Sequence, residues 1–146
     1  LIESSLSLPF SAEKAFDAYS DLPRQPTWSP WLHKVEYFNK ATGESRWTMK
    51  FFGFKFSWTA INLVQERPRI IQWKSTSGLT NYGTVTFDKQ NDGGTKMNLT
   101  MKLQAPRIAV KAFSKSKRLS QFIEQRMVGP SLLEFRDVIM DAEKEQ

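Results

Sequence analysis

The spacing of apolar residues divides the chain into a strand-rich first part and a helical end. From about residue 34 to residue 103, apolar and polar residues alternate with a period of two, which is typical of strands with one buried face. The segment MNLTMKL, residues 97–103, shows this most clearly, because Met or Leu occupies every second position. It predicts a half-buried antiparallel strand.

Short elements precede the strand-rich part. Residues 2–8 predict a strand that ends at Pro9. Ser11 is a suitable N-cap for a following helix, whose apolar residues recur at helical spacing until about residue 21. The next segment, PRQPTWSPW at 23–31, contains three prolines, so it can form only a short helical turn or a loop.

Turn residues and a second change of period set the remaining boundaries. Phe52-Gly53 predicts a turn between two aromatic strands, and the run Asn91-Asp92-Gly93-Gly94 predicts a hairpin. After Pro106 the apolar spacing becomes 3.6, which indicates a long C-terminal helix. Gly129-Pro130 interrupts that pattern, so we expect a bend or a break there.

The resulting order is strand, helix, helical turn, about six antiparallel strands and a long helix. Such a sheet has one apolar face to cover, and the terminal helix has the apolar stripe long enough to cover it. At 146 residues the chain has room for one domain, which we expect to span residues 1–146. Side chains between the sheet and the helix would line any cavity.

Aromatic residues are concentrated early in the strand-rich part: ten lie between Trp28 and Trp58. A curved sheet with so many rings encloses either a dense core or an apolar pocket. Trp28 and Trp31 lie in the proline-rich segment, where we expect them to close the floor of the core or to guard a pocket mouth. The residues predicted to bind a ligand are Trp47, Met49, Phe51, Phe56, Trp58, Trp73, Tyr82, Met101 and Phe122, with Asn62 and Thr84 as further polar contacts.

Positive charge is concentrated near the start of the C-terminal region. The formal net charge is +6, and residues 107–126 contain six basic residues against one acidic residue. Such a field attracts an anionic membrane or another anionic partner, although a solvated helix face gives the same pattern. The residues predicted to make that contact are Lys111, Lys115, Lys117 and Arg118.

The amino-acid composition excludes several kinds of covalent link, catalytic group and metal site. The absence of cysteine excludes disulfides, thiolate catalysis and zinc-thiolate sites. No apolar run approaches the ~20 residues that cross a bilayer, so we expect a soluble or peripheral protein. Because the chain begins at Leu1, a processed form is expected and the compartment stays open: cytoplasm, or plastid or mitochondrion if a transit peptide has been removed.

Few residues qualify as catalytic groups. His33 is the only histidine, but no nucleophile motif accompanies it, and a surface histidine explains it better. We therefore assign no catalytic residue, no metal site and no cofactor. Gly78 and Gly83 lie in strands, where glycine marks a bulge or a close approach rather than a phosphate loop.

Four stretches together resemble a known family. They are SLSLPFSAEKAFDAYSDL, PTWSPWLHKVEYF, FFGFKFSWT and NYGTVTFDKQNDGGTKMNLTMKL. Their order and spacing are similar to those of the START-like (SRPBCC) helix-grip superfamily, in its polyketide cyclase/dehydrase and lipid transport branch. The resemblance implies an α+β fold: a seven-stranded curved antiparallel sheet wrapped around a long C-terminal helix, with two short helices after the first strand. It also implies a hydrophobic cavity for lipids, polyketides, isoprenoid quinones or hormones.

The leading functional prediction is a non-enzymatic binder or carrier of a hydrophobic small molecule. The first alternative is a cyclase or dehydratase acting on a polyketide-like substrate, with His33 or Tyr82 as proton donor. The second is a module associated with ribosomes or protein complexes. Nucleic acid is disfavoured as a partner, because no single strand shows an exposed platform of aromatic and basic residues.

Overall fold

The computed structural model of the protein describes residues 2–39, 41–51, 53–104 and 124–144. The elements follow one another in the predicted order. Their bounds are β1 (Ile2–Leu8), α1 (Ala12–Tyr19), a 3₁₀ helix (Leu22–Thr27), β2 (Leu32–Asn39), β3 (Glu44–Phe51), β4 (Phe54–Glu66), β5 (Ile70–Gly78), β6 (Asn81–Lys89), β7 (Thr95–Leu103), a π-helical turn (Glu124–Val128) and α2 (Gly129–Lys144).

The seven strands form one antiparallel sheet in the order β1-β7-β6-β5-β4-β3-β2. Neighbours in the chain are neighbours in the sheet, except that the first strand pairs with the last. On β7, Met97 and Leu99 are buried while Lys96 and Thr100 are exposed. The predicted half-buried strand is therefore confirmed, and the sheet has one apolar face.

The first helix begins where its cap predicts. The backbone N–H of Lys14 donates to Oγ of Ser11 at 3.2 Å, which satisfies one of the free donors of the first turn. The helix buries Ala15 and Phe16, and the Phe16 ring meets Phe87 of β6 edge-on with centroids 5.8 Å apart. The apolar side of α1 thus packs on the sheet.

Both predicted glycine turns are present. Gly53 and Gly93 have φ values of 81° and 86°, in the left-handed region that glycine adopts without a steric penalty. At the second turn, Oδ1 of Asp92 accepts a hydrogen bond from the backbone N–H of Gly94 at 2.9 Å. These turns set the register of the strand pairs β3–β4 and β6–β7.

The C-terminal helix is irregular at the predicted place. Residues Glu124–Val128 form a π-helical turn, and regular α-helix begins at Gly129. Pro130 has no backbone N–H to donate to the preceding turn, which accounts for the wider winding before it. Beyond this point α2 buries residues at helical spacing, namely Leu132, Phe135 and Ile139.

A cluster of aromatic rings joins the two helices. Phe135 of α2 is fully buried and lies 4.8 Å from the Trp28 ring, 5.4 Å from Tyr19 and 6.3 Å from Phe10, measured between centroids. All three contacts are edge-to-face, the arrangement that aromatic quadrupoles favour. The cluster holds α2, α1 and the segment after the 3₁₀ helix against each other.

Candidate ligand-binding cavity

A cavity of about 100 Å³ lies between the apolar face of the sheet, the segment after the 3₁₀ helix and α2. All five tryptophans of the chain line it: Trp28, Trp31, Trp47, Trp58 and Trp73. The volume is below the ~300–1,000 Å³ typical of ligand pockets. It is closer to the ~150 Å³ of an apolar cavity that admits benzene.

Four of the five indole N–H groups donate to side chains of the protein. Burying an indole without a partner for its N–H is costly, so these bonds stabilise the wall. The pairs are Trp28 Nε1 to Gln25 Oε1 (3.2 Å), Trp31 Nε1 to Ser131 Oγ (3.0 Å), Trp47 Nε1 to Ser45 Oγ (2.9 Å) and Trp73 Nε1 to Asn81 Oδ1 (3.1 Å).

The four acceptors are themselves held by backbone carbonyls. These second bonds are Gln25 Nε2 to Tyr19 O (2.7 Å), Ser131 Oγ to Met127 O (2.6 Å), Ser45 Oγ to Ala60 O (3.3 Å) and Asn81 Nδ2 to Leu79 O (3.0 Å). Each indole is therefore bound through a short chain to the backbone. Because the polar edges are occupied, the faces of the rings are what the wall offers to a ligand.

The fifth indole is held by stacking. Trp58 of β4 is the cross-strand partner of Trp47 on β3, and the two rings are nearly parallel, with centroids 5.9 Å apart and an angle of 10° between their planes. Cross-strand aromatic pairs of this kind stabilise a sheet. The pair gives the β3–β4 side of the cavity a flat aromatic surface.

Tyr19 adds a polar group to this apolar wall. Its ring packs between Trp28, Phe87 and Phe135. Burial raises the pKa of Tyr19 to about 12, so the phenol is protonated at neutral pH. In the part of the chain that the structure describes, no hydrogen bond reaches its hydroxyl or that of Ser29, which lies on the same wall.

The structure brings four of the nine predicted ligand-binding residues to the cavity: Trp47, Trp58, Trp73 and Met101. Met49 is 3% exposed and belongs to the closed core, and Phe56 packs against that core without lining the cavity. Asn62 lies on the cavity wall but is exposed, and its amide N–H donates to Gln65 at 2.8 Å.

Tyr82 and Thr84 do not point toward the cavity, contrary to expectation. On β6 the buried positions are Asn81, Gly83 and Val85, so the residues between them belong to the outer face of the sheet. Tyr82 is half-exposed, and the ammonium of Lys102 lies 6.0 Å from its ring centroid. It is therefore not placed to donate a proton to a ligand in the cavity.

Several predicted residues lie outside the described parts of the molecule. These are Phe122, the side chain of Phe51, and the basic residues Lys111, Lys115, Lys117 and Arg118. Their predicted roles in ligand and anion binding remain predictions. Within the described ranges, no helix combines the length and the apolar character needed to cross a bilayer.

His33 is exposed and does not line the cavity. The charge of Lys50, followed by that of Lys55, lowers the pKa of His33, with smaller contributions from desolvation and Lys34. Its position gives it no contact with a molecule bound among the tryptophans. Among the described residues, no group of three His, Asp or Glu side chains could hold a metal ion.

Sequence reasoning misses the polar residues that fix the rings. Gln25 lies in the 3₁₀ helix, Asn81 begins β6, and Ser131 lies 100 positions after its partner Trp31. Trp28, predicted to close the floor or guard the mouth, joins Trp31 in lining the cavity. The periodicity of the surrounding segments carries no signal for such long-range pairs.

The seven-stranded antiparallel sheet and the C-terminal helix define an α+β helix-grip protein with an aromatic cavity. Solved structures share this fold. A protein from Thermus thermophilus is 18% identical, with a TM-score of 0.80 and 97% of each chain covered. The Zhui aromatase/cyclase from a Streptomyces species is 16% identical, with a TM-score of 0.69 over 98% of this chain and 93% of that one. A START superfamily protein from Mycobacterium smegmatis is 16% identical, with a TM-score of 0.57 over 86% and 95%.

Sequence comparison identifies the family directly. The family model for polyketide cyclase / dehydrase and lipid transport matches residues 8–122, so the chain belongs to this START-like family. A comparison with curated proteins finds no match. The family supports either the binding of a hydrophobic ligand or polyketide cyclisation, and at these identities the structural neighbours show the fold alone.

Proposed function

We propose that the protein binds and carries a small apolar molecule in the tryptophan-lined cavity without converting it. The observation that supports this most strongly is the state of the indole N–H groups: four of five are bonded to protein acceptors. A ligand would therefore meet ring faces, which recognise apolar surface and shape. The family description, which includes lipid transport, agrees with a hydrophobic ligand.

The wall favours a ligand with little polarity and at most one or two oxygen atoms. Burying apolar surface contributes about 25 cal/mol per Å², whereas an unpaired polar group costs free energy on entry. Tyr19 and Ser29 line the same cavity as Trp28, and their hydroxyls could bond one oxygen of the ligand. An aromatic or alkyl ketone has this chemistry.

The cavity volume limits the size of a ligand that enters without rearrangement. At about 100 Å³ the space suits a single ring or a short chain. A longer ligand requires wall side chains to change rotamer, and Met101, with its flexible thioether, is the lining residue best suited to that. Movement of Trp31 or Trp73 would first break a part-buried hydrogen bond.

A second candidate is a cyclase or dehydratase acting on a polyketide-like ketone. Tyr19 is the observation that favours it, because a phenol that stays protonated to a pKa of about 12 can polarise a carbonyl by hydrogen bonding. In this role Tyr19 replaces His33 and Tyr82, which lie outside the cavity. A β-hydroxyketone that loses an α proton and its β hydroxyl as water, rather than being only bound, would distinguish this function.

Ligand titration tests both candidates. Because all five tryptophans line the cavity, uptake should change the intrinsic tryptophan fluorescence. Aromatic and alkyl ketones of increasing size, each paired with the hydrocarbon of the same shape, are added and the complexes are weighed by native mass spectrometry. Saturable binding of intact ketone supports the carrier. A β-hydroxyketone of similar size tests the enzyme, because it can lose an α proton and its β hydroxyl as one water to give the enone; appearance of the enone supports the enzyme. If no compound binds, both candidates are wrong.

A further inference from the structure

A second cavity, of about 320 Å³, lies on the outer face of the sheet, where β3, β4 and β5 run side by side. Its volume is within the ~300–1,000 Å³ typical of ligand sites. Its polar side chains come from positions that alternate with the inward-facing Trp47 and Trp58. They are two cations and four hydroxyls, namely Arg46, Lys55, Thr48, Ser57, Thr59 and Ser77. Among the described residues, no carboxylate lines this outer-face cavity.

A β-bulge in β5 brings two hydroxyls to the wall of this cavity. Thr59 of β4 pairs with Ser77 and Ala60 pairs with Ser75, so Thr76 is an extra residue on β5. As a result, both Thr76 Oγ1 and Ser77 Oγ lie within hydrogen-bond distance of Thr59 Oγ1, at 2.7 and 2.5 Å. Thr59 is buried although it belongs to the outer face. The bulge thus builds a packed group of three hydroxyls beneath the cavity.

The carboxylate at the end of this group fixes which hydroxyl donates to which. Thr76 donates its one hydroxyl proton to Oε2 of Glu44 at 2.9 Å. The bond between Thr59 and Thr76 must then use the proton of Thr59, and the bond between Ser77 and Thr59 must use the proton of Ser77. Ser77 Oγ is therefore left with lone pairs alone, so it can accept a hydrogen bond from a ligand but cannot donate one.

Arg46 is supported by an aromatic ring and has no anionic partner in the described ranges. Its guanidinium carbon lies 4.7 Å from the centroid of the Phe38 ring, a cation–π contact. The carboxylate directly opposite it on β2, that of Glu36, pairs with Lys34 at 3.2 Å instead. In the same ranges Lys55 also forms no ion pair. A guanidinium held in this way is suited to recognise an oxyanion through two N–H groups at once.

We propose that the outer-face cavity binds a phosphate group together with one hydroxyl, as in hydrogen phosphate or in a small hydroxylated phosphomonoester. Arg46 and Lys55 neutralise the phosphate and donate to its oxygens. Thr48 and Ser57 are cross-strand partners whose hydroxyls form no hydrogen bond within the described ranges, so both can donate to further oxygens. Ser77 accepts from the hydroxyl of the ligand.

The acceptor role of Ser77 favours phosphate over oxyanions that carry no proton. Sulfate offers only acceptors, so its oxygens and the lone pairs of Ser77 would face each other without a proton between them. Hydrogen phosphate has a P–OH group that can donate to Ser77, and a phosphomonoester can donate from a hydroxyl of its carbon chain. The site lies on the opposite face of the sheet from the tryptophan-lined cavity, so neither proposal depends on the other.

Backbone amide NMR shifts of the isotope-labelled protein, titrated separately with inorganic phosphate, sulfate and glycerol phosphate, test the proposal. At about pH 8, phosphate and sulfate are both mainly dianions, but only phosphate retains a proton. We expect phosphate to shift the amides around Arg46, Ser57 and Ser77 and to bind roughly fivefold more tightly than sulfate, the equivalent of one hydrogen bond. Tighter binding of glycerol phosphate assigns the site to a phosphomonoester, and tighter binding of inorganic phosphate assigns it to the free ion.

Variants of the lining residues identify the groups that hold the phosphate. Arg46→Gln/Lys55→Gln should weaken phosphate binding by about tenfold or more, because hydrogen bonds from charged donors are the stronger ones. The matched control Lys74→Gln/Lys102→Gln removes the same charge from β5 and β7 and should leave the affinity unchanged. Arg46→Lys should be intermediate, since it keeps the charge and loses the paired N–H groups. Ser77→Ala should reduce the phosphate affinity to that of sulfate and leave sulfate binding unaffected.

Several results would overturn the proposal. They are equal losses in the two charge variants, equal affinities of the original protein for phosphate and sulfate, and amide shifts confined to the tryptophan-lined cavity or absent with all three anions. Thermal unfolding checks that each variant is folded. Because the comparison of phosphate with sulfate and the position of the shifted amides are measured on the original protein, the proposal can fail even if a variant does not fold.

Discussion

The indole of Trp73 lies across Gly83 on the neighbouring strand, at a distance that leaves no room for another side chain. The two residues are cross-strand partners in β5 and β6. A Cβ atom built on Gly83 would clash with the backbone carbonyl oxygen of Thr100 on β7 and would lie 2.7 Å from Cη2 and 2.8 Å from Cζ2 of the indole. Asn81, two residues before Gly83, accepts the hydrogen bond from Trp73 Nε1. One strand thus supplies both the space and the acceptor that orient this ring.

The Gly83→Ala variant tests this relationship. The added methyl group should press on the backbone carbonyl of Thr100 and on the Trp73 ring, and should destabilise the protein by about 1–3 kcal/mol, the usual cost of overpacking a closed site. Denaturant unfolding measures the loss, and a shift in tryptophan emission reports the moved indole. The control is Thr84→Ala on the outer face, which should change the unfolding free energy little. An alanine variant as stable as the original protein, with unchanged tryptophan emission, would contradict the close packing around Gly83.

The Trp73–Gly83 pair shows why the alternation of apolar and polar residues predicts the buried face of β7 but not that of the neighbouring β6. On β7 every inward position between Met97 and Leu103 is apolar, so alternation alone predicts its buried face. On β6 the inward positions begin with Asn81 and Gly83, because the ring of Trp73 fills the space above them. A pattern based on apolar residues alone places Tyr82 on the inner face, although its neighbours Asn81 and Gly83 are the residues that lie there.

The site can be predicted only where local alternation determines the buried face. Trp47 and Trp58 are predicted on one aromatic surface, and they stack as cross-strand partners. The bond from Trp31 to Ser131 spans 100 positions, and no local pattern indicates such a contact. The START-like resemblance predicts the elements and their order, but the hydrogen bonds that orient the rings depend on tertiary contacts.

Ser131→Ala is expected to loosen the contact between the proline-rich segment and α2. Oγ of Ser131 accepts from Trp31 Nε1 at 3.0 Å and donates to the carbonyl of Met127 at 2.6 Å. Its removal leaves a part-buried indole N–H without its acceptor, at a cost of about 1–3 kcal/mol in unfolding free energy. Denaturant unfolding checks this value. As a control, Ser20→Ala removes an exposed hydrogen bond from the serine Oγ to the backbone carbonyl of Asp17 and should lower the unfolding free energy much less. Equal losses in the two variants would show that the Trp31–Ser131 hydrogen bond does not contribute more than an exposed one.

A salt bridge between α1 and the β4–β5 connection should make the free energy of unfolding depend on pH in the acid range. Arg67 donates to both carboxylate oxygens of Asp17, at 2.7 and 2.8 Å, and these hydrogen bonds lower the pKa of Asp17. A lowered pKa adds stability that is present above the unfolded value of about 3.9 and is lost as pH falls through the folded value. The difference in midpoint temperature between the original protein and Asp17→Asn should therefore shrink below about pH 4.

The Arg67→Lys variant separates geometry from charge in that salt bridge. Lysine retains the positive charge but cannot form the two parallel bonds of the guanidinium. Its acid dependence should lie between those of the original protein and Asp17→Asn. Because both side chains are about half exposed, the whole effect should be small and should weaken with added salt. A pH-independent difference would show that the carboxylate pKa is not lowered by Arg67.

Tyr19→Phe should remove the discrimination between a ketone and the hydrocarbon of the same shape. If the phenol bonds the ligand oxygen, its loss costs about 1 kcal/mol, or roughly a fivefold reduction in affinity for the ketone, and leaves the hydrocarbon unaffected. Tryptophan fluorescence titration measures both affinities. Tyr82→Phe is the matched control, because this tyrosine lies on the outer face and should leave both affinities unchanged. Equal discrimination in Tyr19→Phe and the original protein would mean that another group bonds the oxygen.

The same variant should change the response to alkali. The pKa of Tyr19, raised by burial to about 12, exceeds the value of about 10 for tyrosine in an unfolded chain. A raised pKa contributes stability that is fully present below pH ~10 and is lost as pH rises toward the folded value, because the unfolded chain releases the proton first. Between about pH 10 and 12 the original protein should therefore lose stability faster than Tyr19→Phe, which has no proton to release. Unfolding curves measured across that range check the difference, and parallel losses would place the Tyr19 hydroxyl in water rather than in the apolar wall.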